Sequence, residues 1–484
     1  MARVVAWLGG VAGALVMMSG AEAASGPRQA AEGQIIAPLG QSSDALGQMF
    51  DQLEQLRNQG AEAYHRGDYR EAARLFREVL SQSPNDSVTH NNLGMALEAL
   101  GDLDGAIASY RQAIALDPDY ASAYYNLGIA LGTQGDLDGV IAAYRRAVTI
   151  NPNYGAAHIN LGNVLMEQGD LAGAIASYRQ AIAAYPDDVE AHRQLGIALL
   201  LGDDTDGAIA AYRRAVSLNP GDADTHNMLA LALRLQRNLE EAIEQYRLAI
   251  AVDPTFAKSY AGLGGALYQQ GDLEGAIANY RRFLELDPSD AEMHSHLGTV
   301  LADAKDWDGA IASYRRAIEL NPNLDYAHAG LGAALDMRGQ GEAAIASYRR
   351  ALEINPGNSA THNGLGMALY GQMDVAGAIA SYRYALELNP DNDDAHNNLG
   401  DALAFMGDFE GAIASYHRAI GISQSDWIAA LARQGLAAVL IQRNQPGDLE
   451  TALAHLDQAL AIDPDYEEAK NTRRMAQELL EGRP

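Results

Sequence analysis

The sequence predicts an all-α solenoid of about twelve helix-turn-helix units, on three observations. Prolines recur at a constant interval of 34 residues, at Pro84, Pro118, Pro152, Pro186, Pro220, Pro254, Pro288, Pro322, Pro356 and Pro390. Tyrosines recur at the same interval, at Tyr110, Tyr144, Tyr178, Tyr212, Tyr246, Tyr280, Tyr314, Tyr348, Tyr382 and Tyr416. Within each period, two apolar runs at helical spacing flank a short polar break, so each period holds two helices.

The stretch Asn91–Tyr120 contains one complete unit. Leu93, Gly94 and Leu97 mark its first helix; Ala106, Tyr110, Ala113 and Ile114 mark its second. Gly101 suits the left-handed conformation just past a helix end, and Asp102 can cap the helix that follows. Asp104 lies in the first turn, where the helix dipole favours an anion. Pro118 ends the second helix, because the residue before a proline avoids helical geometry.

This pattern resembles the tetratricopeptide repeat family. Its repeat has a bulky residue at position 4, Leu-Gly at 7 and 8, Ala at 20, an aromatic at 24, Ala at 27 and Pro at 32. In the second repeat these are His90, Leu93, Gly94, Ala106, Tyr110, Ala113 and Pro118. The resemblance implies a right-handed superhelix whose first helices line a concave groove, where extended peptides bind.

A chain of 484 residues would ordinarily hold about two to four domains. Here the repeats predict one elongated array, each unit burying its apolar face against its neighbours. With 34 Lys+Arg against 63 Asp+Glu, the net charge is -29. That argues against nucleic acid and anionic membrane surfaces as partners. There is no cysteine, which excludes disulfides, thiol catalysis and a cysteine-linked lipid anchor.

Residues 1–23 have the pattern of a secretory signal peptide: Arg3, an apolar run from Val4 to Met18, and a small-x-small site at Ala21-Glu22-Ala23. The run falls short of the ~20 residues that span a bilayer, and an uncleaved anchor is the competing reading. The mature chain is expected to be exported, periplasmic or secreted, without inserting in a membrane. Residues 24–42 are a linker rich in Ala, Gly, Gln and Ser. A helical pattern starts near Asp44, with Leu46, Met49, Phe50, Leu53 and Leu56, and completes the segment 24–52. Repeat one begins at residue 53, and the array of twelve runs to 466. Repeat six departs from the pattern, with Ala230 for Gly and Arg237-Asn238 for Gly-Asp; repeat eleven ends at Asp426 without proline. The twelfth unit, 427–466, is longer, its extra residues falling near Arg443–Pro446. Residues 467–484 predict a capping helix with Met475, Ala476, Leu479 and Leu480 on its apolar side.

Several residue columns invite chemistry. Histidine holds position 4 at His90, His158, His192, His226, His294, His328, His362 and His396. Equivalent residues of stacked repeats stand roughly 8–10 Å apart, too far to share a metal with ~2 Å bonds, so packing is the expected role. Arginine holds position 25 at Arg111, Arg145, Arg179, Arg213, Arg247, Arg281, Arg315, Arg349 and Arg383, where ion pairing within the array is expected. Gly262-Leu263-Gly264-Gly265 sits inside a helical pattern without a preceding strand, so it is no phosphate loop. Asp203-Asp204-Thr205-Asp206 lacks the calcium-loop spacing. No nucleophile–base constellation, metal site or cofactor motif is found, and no enzyme is expected.

Positions 2, 6, 9 and 13 of each first helix lie opposite the apolar stripe. Position 6 is Asn92, Asn126, Asn160, Gln194 and Asn398 in repeats two, three, four, five and eleven. An amide both donates and accepts, so it can hold a peptide backbone without reading its sequence. This is similar to the asparagine ladder in the repeats of O-linked N-acetylglucosamine transferase, without its catalytic domain. Ile197, Leu201, Met228, Leu231 and Leu235 on the same face of repeats five and six are the candidate apolar anchors. The competing reading is that superhelical curvature packs these side chains on one another. The expected function is an exported, non-catalytic interaction scaffold that binds an extended peptide or a protein. The alternative is a structural spacer that contacts partners through its convex face or its ends. No oligomeric state is assigned.

Overall fold

The structure is a computed structural model that describes residues 43–482, with side chains from Gln48 onward. The expected signal segment and the linker 24–42 lie outside the described residues. Those described form twenty-five α-helices and no strand.

The chain divides between Asp253 and Pro254 into two compact units. In the first, α1 (Ser43–His65) pairs with α2 (Tyr69–Gln82), α3 (Ser87–Ala99) with α4 (Leu103–Leu116), and α5 (Ala121–Gln134) with α6 (Leu137–Ile150). The pairs α7 (Gly155–Glu167) and α8 (Leu171–Ala184), α9 (Val189–Leu201) and α10 (Thr205–Leu218), and α11 (Ala223–Leu235) and α12 (Leu239–Val252) complete it. The second unit holds α13 (Ala257–Gln270) with α14 (Leu273–Leu286), α15 (Ala291–Asp303) with α16 (Trp307–Leu320), and α17 (Asp325–Met337) with α18 (Gly341–Ile354). There follow α19 (Ser359–Gly371) with α20 (Val375–Leu388), α21 (Asp393–Phe405) with α22 (Phe409–Ile422), α23 (Asp426–Arg443) with α24 (Asp448–Ile462), and α25 (Glu467–Glu481). The 34-residue pattern runs across this division, which falls in the last turn of repeat six. When each repeat packs only on its neighbours, no single core sets where compact units end.

Each unit folds for local reasons. Gly101 has φ +82°, and Asp102 accepts the N–H of Gly105 at 3.0 Å, so the Gly-Asp pair ends one helix and starts the next. Repeat six keeps this geometry with other residues. Arg237 takes φ +65°, and Asn238 caps Glu241 at 3.4 Å. Left-handed backbone at a non-glycine residue costs about 1 kcal/mol, which the surrounding repeat absorbs.

The position-24 tyrosines seat against the position-8 glycines. A Cβ added at Gly94 would lie 2.5 Å from the ring of Tyr110, and one at Gly162 the same distance from Tyr178. In these repeats the glycine leaves room for the helices to close over the ring, and Tyr110 and Tyr178 are fully buried; in repeat six Ala230 holds the same position and Tyr246 is also fully buried.

The histidine column has a bond that its periodicity did not reveal. In His90, His158, His192, His226, His294, His328, His362 and His396, Nε2 lies 2.9–3.2 Å from the carbonyl oxygen of the proline six residues earlier. A carbonyl only accepts, so each ring donates Nε2–H. Tyr260 does the same for Pro254 through its hydroxyl, at 3.2 Å. Each ring thus ties the start of a first helix to the turn that precedes it. Arginine pairing differs from expectation. Arg213 of position 25 reaches Glu241 at 2.8 Å, but the pairs that recur with the repeat come from position 26: Arg146 with Asp119, Arg214 with Asp187 and Arg418 with Asp391. Position 26 faces the turn that ends the preceding repeat, where those aspartates stand.

In the twelfth repeat the extra residues lengthen the first helix as well as the turn. Helix α23 has 18 residues where α21 has 13. Arg443, at its end, bonds to Asp448 and Glu410, both at 2.7 Å. The last helix, α25, is rotated from the expected setting. Ala469 and Ala476 are buried, whereas Met475 and Leu479 are exposed. The small alanines permit close approach, and in this setting Arg473 pairs with Asp457 at 2.6 Å.

A pH response arises beside this end. The His417 and His455 rings stand 5.9 Å apart. Burial, then the charges of His417 and Arg433, pull the His455 pKa below its ordinary 6.5. A histidine with a lowered folded pKa favours its neutral form, so its contribution is complete above pH 6.5 and is lost as pH falls through and below that value. Hydrogen-exchange protection in 426–462, corrected for the intrinsic pH dependence of amide exchange, is expected to fall between about pH 7 and 5, and His455→Gln to flatten the response. Unchanged acid sensitivity in that variant would assign it elsewhere.

Candidate functional site

In the second unit α15, α17, α19, α21 and α23 pack in succession on one another, and in the first α1 packs on α3, α3 on α5 and α7 on α9; each also packs on its own second helix. This puts them on the inner side of each unit, and their inner face is the candidate site.

The expected amide ladder lies in the seams between these helices. Asn126 donates from Nδ2 to Asn91 Oδ1 of the preceding first helix at 2.9 Å, and Asn398 donates likewise to Asn363 at 3.1 Å. Asn160 Nδ2 reaches the hydroxyls of Tyr125 and Tyr144 at 3.2 and 3.4 Å. Gln194 is buried, with Nε2 on Glu190 Oε1 at 2.6 Å; Asn92 is half-buried. Asn126, Asn160 and Asn398 thus link successive repeats, whereas Gln194 bonds within its own helix.

The apolar patch is corrected more sharply. Met228 is 1 % exposed, Leu231 4 %, and Ile197 is buried with them; Leu201 is half-buried, and only Leu235, at 43 %, is exposed. The physical reason lies in the position-24 tyrosines. Position 9 sits over the hydroxyl of its own repeat's tyrosine: Tyr178 donates to Asn163 at 2.7 Å, and Tyr416 to Asp401 at 2.6 Å. Position 6 lies against the tyrosine of the preceding repeat, since a Cβ at Gly330 would come within 2.4 Å of Tyr314 and one at Gly364 within 2.8 Å of Tyr348. A helical wheel drawn for one helix places both positions opposite the core; in repeats five and six Ile197, Met228 and Leu231 are nonetheless buried there, whereas Met367 and Asp401, at position 9 of later repeats, stay exposed. Ile197 and Leu231 occupy position 9, and the buried hydroxyls of Tyr212 and Tyr246 there have no hydrogen-bond partner.

The inner face of the second unit carries what the sequence reading missed. Met337 is 62 % exposed and Phe405 57 %, and Met367 is also exposed. Tyr370 and Phe405 stand 6.1 Å apart, edge to face. Asp336 and Asp401 accompany them, and burial raises the pKa of both carboxyls; for Asp401 the bond from Tyr416 partly offsets the rise. Asp401 remains open to solvent, so its desolvation reflects protein crowding around an exposed carboxylate. Tyr382 lies within electrostatic reach of Asp401, Tyr370 and Asp336, which brings residues of three repeats into one cluster. Tyr268 donates its hydroxyl to Asp303, and that bond first, then burial, pushes its pKa up to about 12. The signal available in sequence was the exposed end of the first helix, positions 12 and 13, together with position 9.

No group of three or more His, Asp or Glu that could hold a metal occurs among the described residues. No described helix is long and apolar enough to cross a membrane.

Family models described as "Tetratricopeptide repeat" match residues 159–223, 261–325, 297–359 and 363–426, residues 121–154, and residues 75–108 and 211–244. One described as "TPR repeat" matches 96–135 and 230–271. Among solved structures the chain is similar to the MamA protein, at 30% identity over 36% of this chain and 94% of that one, with a TM-score of 0.34. It is similar to YrrB, described as a TPR protein with an unusual peptide-binding site, at 24% identity over 39% and 97%, with a TM-score of 0.35. It is also similar to yeast Tom70, at 16% identity over 88% and 95%, with a TM-score of 0.39. No curated protein matches the chain.

Proposed function

The chain belongs to the tetratricopeptide repeat family, and we propose on that premise that it is an exported, non-catalytic scaffold that holds an extended peptide or partner segment along the inner face of its first helices. The fold typically mediates protein–protein interaction. The observation that carries the finer reading is the set of large apolar side chains left open on that face, Met337, Met367 and Phe405. Within-repeat packing does not require them there, and exposed apolar surface on a highly charged chain favours a contact role.

Export rests on Arg3, the run Val4–Met18 and Ala21-Glu22-Ala23. The mature chain is expected to begin near Ala24; N-terminal sequencing that finds residues 1–18 retained in the membrane fraction would overturn this. For the scaffold, a partner recovered from the exported fraction should slow hydrogen exchange in α15, α17, α19 and α21 and leave the second helices unchanged. Protection confined to second helices or to α25 would favour the spacer reading instead. That alternative draws support from Met475 and Leu479, exposed on the last described helix.

A further inference from the structure

Four consecutive first helices, α15, α17, α19 and α21, contain no lysine and no arginine. On their inner face Asp303, Asp336 and Asp401 stand among exposed Met337, Met367 and Phe405. Arg338, just past α17, is engaged with Asp308 of α16 at 3.0 Å. In the first unit α3, α5 and α7 also contain no lysine or arginine, whereas α9 carries Arg193. Arg193 lies between Glu190 and Asp224, at 2.7 and 3.0 Å, so carboxylates there are neutralised from within.

We propose that the inner face of α15–α21 docks an extended cationic segment of a partner protein, in which Lys or Arg alternates with apolar residues. The proposal rests on the inner-face reading above and adds the partner's chemistry. An extended strand sends alternate side chains to opposite sides, so one set can meet the carboxylates while the backbone and the other set lie along Met337, Met367 and Phe405. The rings of Tyr370 and Phe405 offer a cation a π face beside Asp401. Asp336 is half-buried and Asp401 exposed, neither is in a salt bridge, and an incoming ammonium or guanidinium supplies a counter-charge to both. A second copy of this chain, with its net charge of -29, would be repelled by the same face. Four first helices packed roughly 8–10 Å apart span ~30 Å, which an extended segment of about ten residues covers.

The test uses the full chain and three fluorescein-labelled peptides of about ten residues. In each, Leu alternates with Lys/Arg, with Gln or with Glu. The Lys/Arg peptide is expected to bind, to weaken with added salt, and to slow hydrogen exchange in α15–α21. Combining Asp336→Asn with Asp401→Asn should lower its affinity about tenfold or more. Asn can still accept from Tyr416, so circular dichroism should be unchanged. Gly371→Lys is an independent variant: its Cβ meets open space, and the added cation should weaken the same peptide. Equal binding of the Gln peptide to these helices would overturn the charge inference and leave the inner-face reading standing. Unchanged affinity in both variants would also overturn the inference. A footprint on the second helices, or no binding by any of the three peptides, would overturn inference and reading together.

Discussion

Replacing Tyr178 by Ala is expected to destabilise the repeats around it by about 3–5 kcal/mol, the cost of removing a fully buried aromatic. The ring fills the space that Gly162 leaves, and its hydroxyl donates to Asn163 at 2.7 Å. The damage should be local, because a repeat passes strain only to its neighbours. Hydrogen exchange should quicken in 155–222 and stay slow in 393–462. Two phenylalanine variants isolate the hydroxyl. Tyr178→Phe loses a bond and should cost about 0.5–1.5 kcal/mol, whereas Tyr212→Phe removes a buried hydroxyl with no partner and should be neutral or stabilising. If the two cost the same, position 9 does not decide the fate of the tyrosine hydroxyl.

Leu231→Ala should cost about 2–4 kcal/mol while Leu235→Ala stays within about 0.5 kcal/mol, although both leucines are on one helix and were expected on one exposed face. Leu231 is buried; Leu235, one turn further on, is exposed. Urea denaturation of the single variants, with peptide binding measured alongside, separates core from contact. Lost binding with unchanged stability in Leu231→Ala would restore it as an anchor and sink the burial argument.

The sequence by itself determined the elements and their order. The 34-residue interval placed the helices, Gly101-Asp102 and its equivalents placed the turns, and Gly94 facing Tyr110 set how helices close within a repeat. All of these are interactions within one repeat, so one period of sequence contains both partners. Only the tertiary structure decided which face stays open. Asn126 is spent on Asn91, Asn398 on Asn363, and Asn160, Gly330 and Gly364 meet the tyrosine of the repeat before them. Those partners belong to the preceding repeat, and a helical wheel has no place for them. The same limit hid Met337, Met367 and Phe405. Each is an ordinary apolar residue in its own helix, and only the packing of neighbouring first helices leaves all three uncovered around carboxylates that no cation on those helices accompanies.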